Sequence, residues 1–188
     1  MNLTNKVGLK GQYFIRIKRN GKYIKLWQEN WLGNKLFQLF RLQPHIPFIL
    51  GSYKEQYTTP NLLVTVGLAE LAKLAIDTGT PTAFSYIAVG TDDTAAAAGQ
   101  TALVAEITDS GLARAIGTKS TVQTTVAGDT SQLLKEFSVT GTKAIKEVGV
   151  FNATPAGTML SRSIITTKNV DSGDTIEITY KLVHKNQV

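Results

Sequence analysis

"IKEVGVFNATPAGTMLSRSII", residues 145–165, decides how this chain is read. Two apolar runs flank the tetrad Thr-Pro-Ala-Gly, so the stretch reads as a β-hairpin with arms 145–153 and 157–167. On the first arm Glu147, Gly149 and Phe151 share one face, and Val148 and Val150 share the other. The pairing predicted from that tip places Glu147 opposite Arg162 or Ser163. An acid inside an apolar strand is costly unless it is paired. A cross-strand arginine is the economical partner, since its fork can hold both carboxylate oxygens. A slip of one residue would separate the two groups, so the pair reads as a register lock and not as a catalytic site. Gly149, between Glu147 and Phe151, predicts a bulge or a close approach by a neighbour.

Working outward, the segments after residue 80 read as strands separated by Gly, Asp and Thr turns. "FSYIAVGT", "ARAIGTKSTVQTTV", "LLKEFSVTG" and "DTIEITYKLVH" all fit, while "TALVAEI" is open between helix and strand. That spacing predicts an antiparallel β-sandwich or barrel. One helix is predicted, in "NLLVTVGLAELAKLAIDTG" (61–79), with Leu68, Leu71, Ala72 and Ala75 facing the core. Thr65 is its candidate N-cap, and Gly79 the left-handed residue past its end. Near the N-terminus, "QYFIRIKRNGKYIKLWQ" reads as a hairpin about Asn20-Gly21, the pair favoured in a two-residue turn. Tyr13, Ile15 and Ile17 alternate there with Phe14, Arg16 and Lys18. Residues 30–60 are apolar and aromatic without a clear period, and Pro44 and Pro47 forbid a long helix. That span predicts a connection packed on its own domain or on another chain. The fold class is therefore mainly β: a sandwich over 61–188 with one α-helix, preceded by a basic, aromatic arm and hairpin over 1–60.

Composition limits the function classes. The chain has 188 residues, 43% hydrophobic and 18% charged, enough for a packed core. No run approaches membrane-span length, so no membrane partner is expected, and the first 23 residues hold no apolar core of signal length. Cysteine is absent, which removes disulfides, thiol catalysis and thiolate metal sites. His45 and His184 lie far apart, each reading as a turn or surface residue. Asp92-Asp93 reads as a solvated loop, and Asp171 and Asp174 as a turn with too few oxygens for calcium. No phosphate-binding loop or nucleophile elbow occurs. No enzyme activity, cofactor, metal or small-molecule substrate is expected.

Charge is uneven. Residues 1–60 hold ten Lys and Arg against Glu29 and Glu55, a balance of +8, and the rest of the chain carries −2. Arg16, Lys18, Arg19, Lys22 and Lys25, with Trp27 and Trp31, are the candidate partner-binding residues. Basic and aromatic side chains interleaved on a sheet suit an acidic protein surface or a single-stranded nucleic acid, and lysines also guard exposed strands.

Four segments, in order, carry a resemblance: "NLLVTVGLAELA" (61–72), "FSYIAVGTDDTAAAAGQTALVAEI" (84–107), the opening hairpin, and "SGDTIEITYKL" (172–182). Together they resemble virion proteins of tailed bacteriophages, in particular tail-fibre, collar-fibre and accessory head or neck proteins, over about two-thirds of the chain from Asn61. The resemblance implies a non-enzymatic structural protein, made in the bacterial host cytoplasm and assembled into the virion as a homo-oligomer beside other virion proteins. A receptor- or glycan-binding fibre module is the alternative, and a nucleic-acid-binding module using the basic hairpin is the second.

Overall fold

The computed structural model describes residues 8–41, 43 and 45–185; residues 1–7 of the expected arm lie outside them. The first alternating segment is strand β1 (Gly8–Arg19), with Tyr13, Ile15 and Ile17 buried and Phe14, Arg16 and Lys18 partly exposed. Asn20 and Gly21 take φ of 50° and 74°, the turn expected from that pair. The chain returns as β2 (Lys22–Tyr23) and then leaves the sheet. β3 (Leu26–Glu29) pairs with β4 (Gly51–Lys54) in a two-stranded ribbon, and helix α1 (Trp31–Phe40) lies between them in sequence. β5 (Tyr57–Pro60), β6 (Leu62–Leu63) and helix α2 (Thr65–Ile76) follow. The remainder is strand and loop: β7 (Tyr86–Gly90), β8 (Ala115–Ile116), β9 (Thr118–Val122), β10 (Thr130–Ser138), β11 (Lys143–Phe151), β12 (Met159–Val170) and β13 (Thr175–Lys185).

Two antiparallel sheets make the sandwich. One has the order β2-β1-β13-β10-β9, with β5 also paired to β1; the other has the order β6-β12-β11-β7-β8. Their inner faces meet in one apolar core. Ile15, Ile17, Phe137, Ile176 and Ile178 come from the first sheet, and Ile87, Val89, Val148, Val150 and Ile165 from the second. Both lateral sides are turned by strands that change sheets. β5 passes through Asn61 into β6, and β8 passes through Gly117 into β9. These corners join edge to edge and limit the open backbone that a sandwich otherwise presents.

Several expectations are corrected. The N-terminal hairpin does not precede the sandwich as an arm. β1 lies between β5 and β13, in register with β13 from Gly8 opposite Lys185 to Lys18 opposite Thr175. Its buried alternate residues fill the core, so a boundary at residue 60 divides no physical unit. Among the described residues there are two helices and not one. Asn30 caps α1 by accepting the Gly33 N–H, and Arg41 ends it in the left-handed region at φ 55°. Its period was hidden because apolar residues surround it, while only Gly33 and Phe37 are buried. α2 forms where predicted, but Thr65 does not cap it; Val64 holds that position without a side-chain bond. Of the stripe expected to face the core, only Leu71 packs against it; Leu68, Ala72 and Ala75 are exposed. It also touches β12 through Gly67, where a Cβ would lie 2.6 Å from the Leu160 Cα. "TALVAEI" is neither helix nor strand, and bridges the sheet only at Glu106 opposite Gly90.

Candidate functional site: a buried ion pair, a neutralised hairpin and an exposed apolar face

Glu147 and Arg162 are both fully buried, and Arg162 Nε donates to Glu147 Oε2 over 2.7 Å. The pair therefore exists, but not in the predicted register. Glu147 stands opposite Ile164, and Arg162 opposite Gly149. Irregularities between Ile145 and Glu147 and between Val150 and Phe151 shift the arms. The contact is diagonal across one face, and Gly149 carries no side chain to block it. The space above Gly149 is taken by Leu103, whose Cδ2 would lie 2.9 Å from an added Cβ.

The arginine does not grip both carboxylate oxygens, as the sequence suggested. Its Nη1 donates to the Thr94 carbonyl at 2.8 Å and to Gln100 Oε1 at 3.0 Å. Glu147 accepts the backbone N–H groups of Ala105 (2.8 Å, Oε1) and Val104 (3.2 Å, Oε2). One ion pair thus ties the irregular segment 91–106 to the outer face of the second sheet. Beneath that segment lies a second apolar cluster of Val64, Ala88, Leu103, Phe151 and Met159. The device fixes a loop as well as a register, and nothing in it resembles an acid–base couple.

The basic hairpin is largely neutralised within the chain. Arg16 bonds Glu177 through Nε (2.8 Å) and Nη2 (2.5 Å), and stacks 4.4 Å from the Tyr23 ring centroid. Lys18 reaches Glu136 at 3.3 Å. Arg19 holds Asp174 at 2.6 Å and Asp171 at 3.1 Å. These partners hold the guanidinium and ammonium pKa values up, the hydrogen bond being the largest cause in each case, while Arg19 draws the Asp174 carboxyl down. Three of the ten basic residues of the first sixty therefore meet acids of β10, β13 and the turn before β13. Only Lys22 and Lys25 of the five candidates stay exposed without an ion pair among the described residues. Trp27 is not a surface residue. It is 5% exposed, with the His45 ring 4.8 Å and the Tyr53 ring 5.2 Å away. Trp31 is 71% exposed, with Lys35 4.4 Å above its ring.

The surface that stands out lies between β3 and β4. Trp31, Leu39, Phe40, Phe48, Ile49 and Tyr53 are each more than half exposed, and Phe48 reaches 97%. Scattered surface apolar residues are ordinary, but six large ones within one short segment make it a candidate interaction surface. Residues 30–54 contain no Asp or Glu, while Lys35, Arg41 and Lys54 are cationic. The sequence signal was the apolar run with no period; it showed that no face of the segment was reserved for water. Of the candidate residues, only Trp31 belongs to this face.

Among the described residues, no group of three His, Asp or Glu side chains could hold a metal ion, and no helix is long and apolar enough to cross a membrane. A cavity of about 390 Å³ opens between α2 and the first sheet, lined chiefly by Leu71, Leu74, Phe84, Leu133, Leu160 and Leu182. Comparison with family models, curated proteins and solved structures finds no match for the chain.

Proposed function

We propose that this chain is a non-enzymatic structural protein of a tailed-phage virion, working through protein–protein interfaces. The observation that carries the reading is the exposed apolar and cationic surface of the segment 30–54. A monomer gains nothing from a solvent-facing Trp31, Leu39, Phe40 and Phe48, whereas a subunit covered by its neighbour gains their burial. The matching partner surface is apolar with an acidic rim. The order of the four sequence segments resembling tail-fibre, collar-fibre and neck proteins supplies the setting. The neutralised hairpin argues against nucleic acid, because Arg16, Lys18 and Arg19 already have carboxylate partners. A glycan-binding tip finds little support, since no tryptophan follows residue 60 and Trp31 sits in the apolar face.

The test uses particles from cells producing an epitope-tagged chain. Tagged wild type should co-sediment with particles and label one location. A Leu39→Asp, Phe48→Asp double variant should fold, since both side chains are exposed, and be absent from particles. Particles free of the wild-type tag would overturn the virion reading. Normal incorporation of the double variant would overturn the role given to the apolar face.

A further inference from the structure

Beside the apolar face lies a cleft of about 310 Å³, lined by Gln38 and Arg41 of the α1 end, the corner 59–62, Ala95, Ala96 and residues 162–164. It contains two unmet cationic donors. Arg162 is fully buried, and among the described residues its Nη2 has no hydrogen-bond partner, with the carboxylate of Asp92 at the outer limit of an ion pair, 3.9 Å away. Among the described residues Arg41 Nη1 is also buried without a partner, and no acid lies within ion-pair distance of it. The guanidinium rests 5.5 Å from the Phe37 ring centroid, so its position is held from below by packing.

The other polar side chains of the wall are differently placed. Ser163 Oγ donates to the Pro60 carbonyl at 2.8 Å, and Thr59 Oγ1 meets Ser163 at 3.2 Å. Asn61 Oδ1, also unmet, lies against Gly11. Both nearby carboxylates, Glu147 at 2.7 Å and Asp92 at 3.9 Å, face Arg162; Arg41 has no acid within ion-pair distance among the described residues, and residues 30–54 around it contain none. Arginine stays charged at any working pH, and a buried charged donor without an acceptor is costly. Its planar fork matches two oxygens on one centre better than it matches water.

We propose that this cleft binds a small oxyanion, a carboxylate or a phosphate group, between Arg41 and Arg162. The site is independent of the virion reading. A partner could supply the anion as an acidic side chain, or solution could supply it as phosphate.

The whole chain is melted at fixed ionic strength in sodium chloride, with up to 10 mM chloride replaced by inorganic phosphate or by acetate. Binding at about 1 mM should raise the midpoint by about 3 °C. A response to acetate identifies a carboxylate site, and a response to phosphate alone identifies a phosphate site. Arg41→Gln should remove the shift, and Arg41→Lys should keep part of it. Titration calorimetry with the same two anions on wild type gives the affinity without relying on a variant. No shift and no heat with either anion overturns the proposal, as does a full shift that survives Arg41→Gln.

Discussion

Glu147 and Arg162 show how one buried charge can organise residues that are distant in sequence. Neither could be buried alone, and removing one partner of such a pair leaves the other uncompensated. Glu147→Ala and Arg162→Ala are each expected to lower unfolding free energy by about 3–5 kcal/mol, measured by chemical denaturation. The double variant should cost well below the sum, and additive losses would show that the groups act separately. Glu147→Ala should also speed amide exchange at Val104 and Ala105, whose N–H groups lose their acceptor. The existence of this pair was legible, because an acid in an apolar strand demands a cation. Its register was not, because irregularities at both ends of the pairing leave no mark in the residue pattern. The partners Thr94 and Gln100 were invisible for a related reason: a loop has no period that says where it lies.

Nothing in the residue pattern marks Lys168. It is 3% exposed, donates to the Trp27 carbonyl (3.1 Å) and Thr166 Oγ1 (2.6 Å), and sits 3.7 Å from the Tyr57 ring centroid. Burial pulls its pKa down to about 8, against a weaker opposing pull from Glu29. The unfolded lysine holds its proton to higher pH, so the folded state is disfavoured while Lys168 is charged. Stability should therefore rise by about 2 kcal/mol between roughly pH 8 and pH 10. Above pH 10 the trend should reverse, because burial raises the pKa of Tyr13, Tyr57 and Tyr180, the last to about 12, and unfolded tyrosines ionise first. Denaturation across this range checks the sign, and Lys168→Met should flatten the rise.

At the scale of elements, α2 separates what periodicity can say from what it cannot. The spacing of Leu68, Leu71, Ala72 and Ala75 announced a helix, and a helix forms. The expectation that the stripe faces the core holds only for Leu71, and Leu68 remains 45% exposed. The seat of the helix is Gly67, pressed on the Leu160 and Met159 backbone. Gly67→Ala should therefore destabilise by about 1–3 kcal/mol through overpacking, although the same change on an exposed helical face would stabilise. Thermal melts of Gly67→Ala beside Ala72→Gly, expected to cost about 1 kcal/mol by propensity alone, distinguish the two effects. β1 is the opposite case. Its alternation was read correctly, residue by residue, yet its place was missed, because pairing with β13 spans nearly the whole chain and no local pattern encodes it.

For the whole molecule, that long-range pairing decides what can be removed. Deleting residues 1–55 takes β1 from between β5 and β13 and strips Tyr13, Ile15 and Ile17 from the core. Such a fragment should fail to fold, as shown by loss of dispersed amide resonances, and the sandwich is not an autonomous unit beginning near Asn61. The apolar face is a different kind of part. Glu29 and Gly51 are register partners, so the excursion from Asn30 to Leu50 leaves and rejoins the structure at one point of the β3–β4 ribbon. Replacing it with a short Gly-Ser turn loses the buried Phe37 and Leu50 and the hydrogen bonds between Gln43 and Thr167 of β12, but removes no strand of either main sheet. The shortened chain should melt cooperatively at a lower temperature and keep its sheet signature in circular dichroism. It should also lose any concentration-dependent association that the full chain shows in sedimentation, because Trp31, Leu39, Phe40 and Phe48 leave together. Association that persists unchanged would move the interface elsewhere, with the exposed side of α2 the next apolar surface to examine.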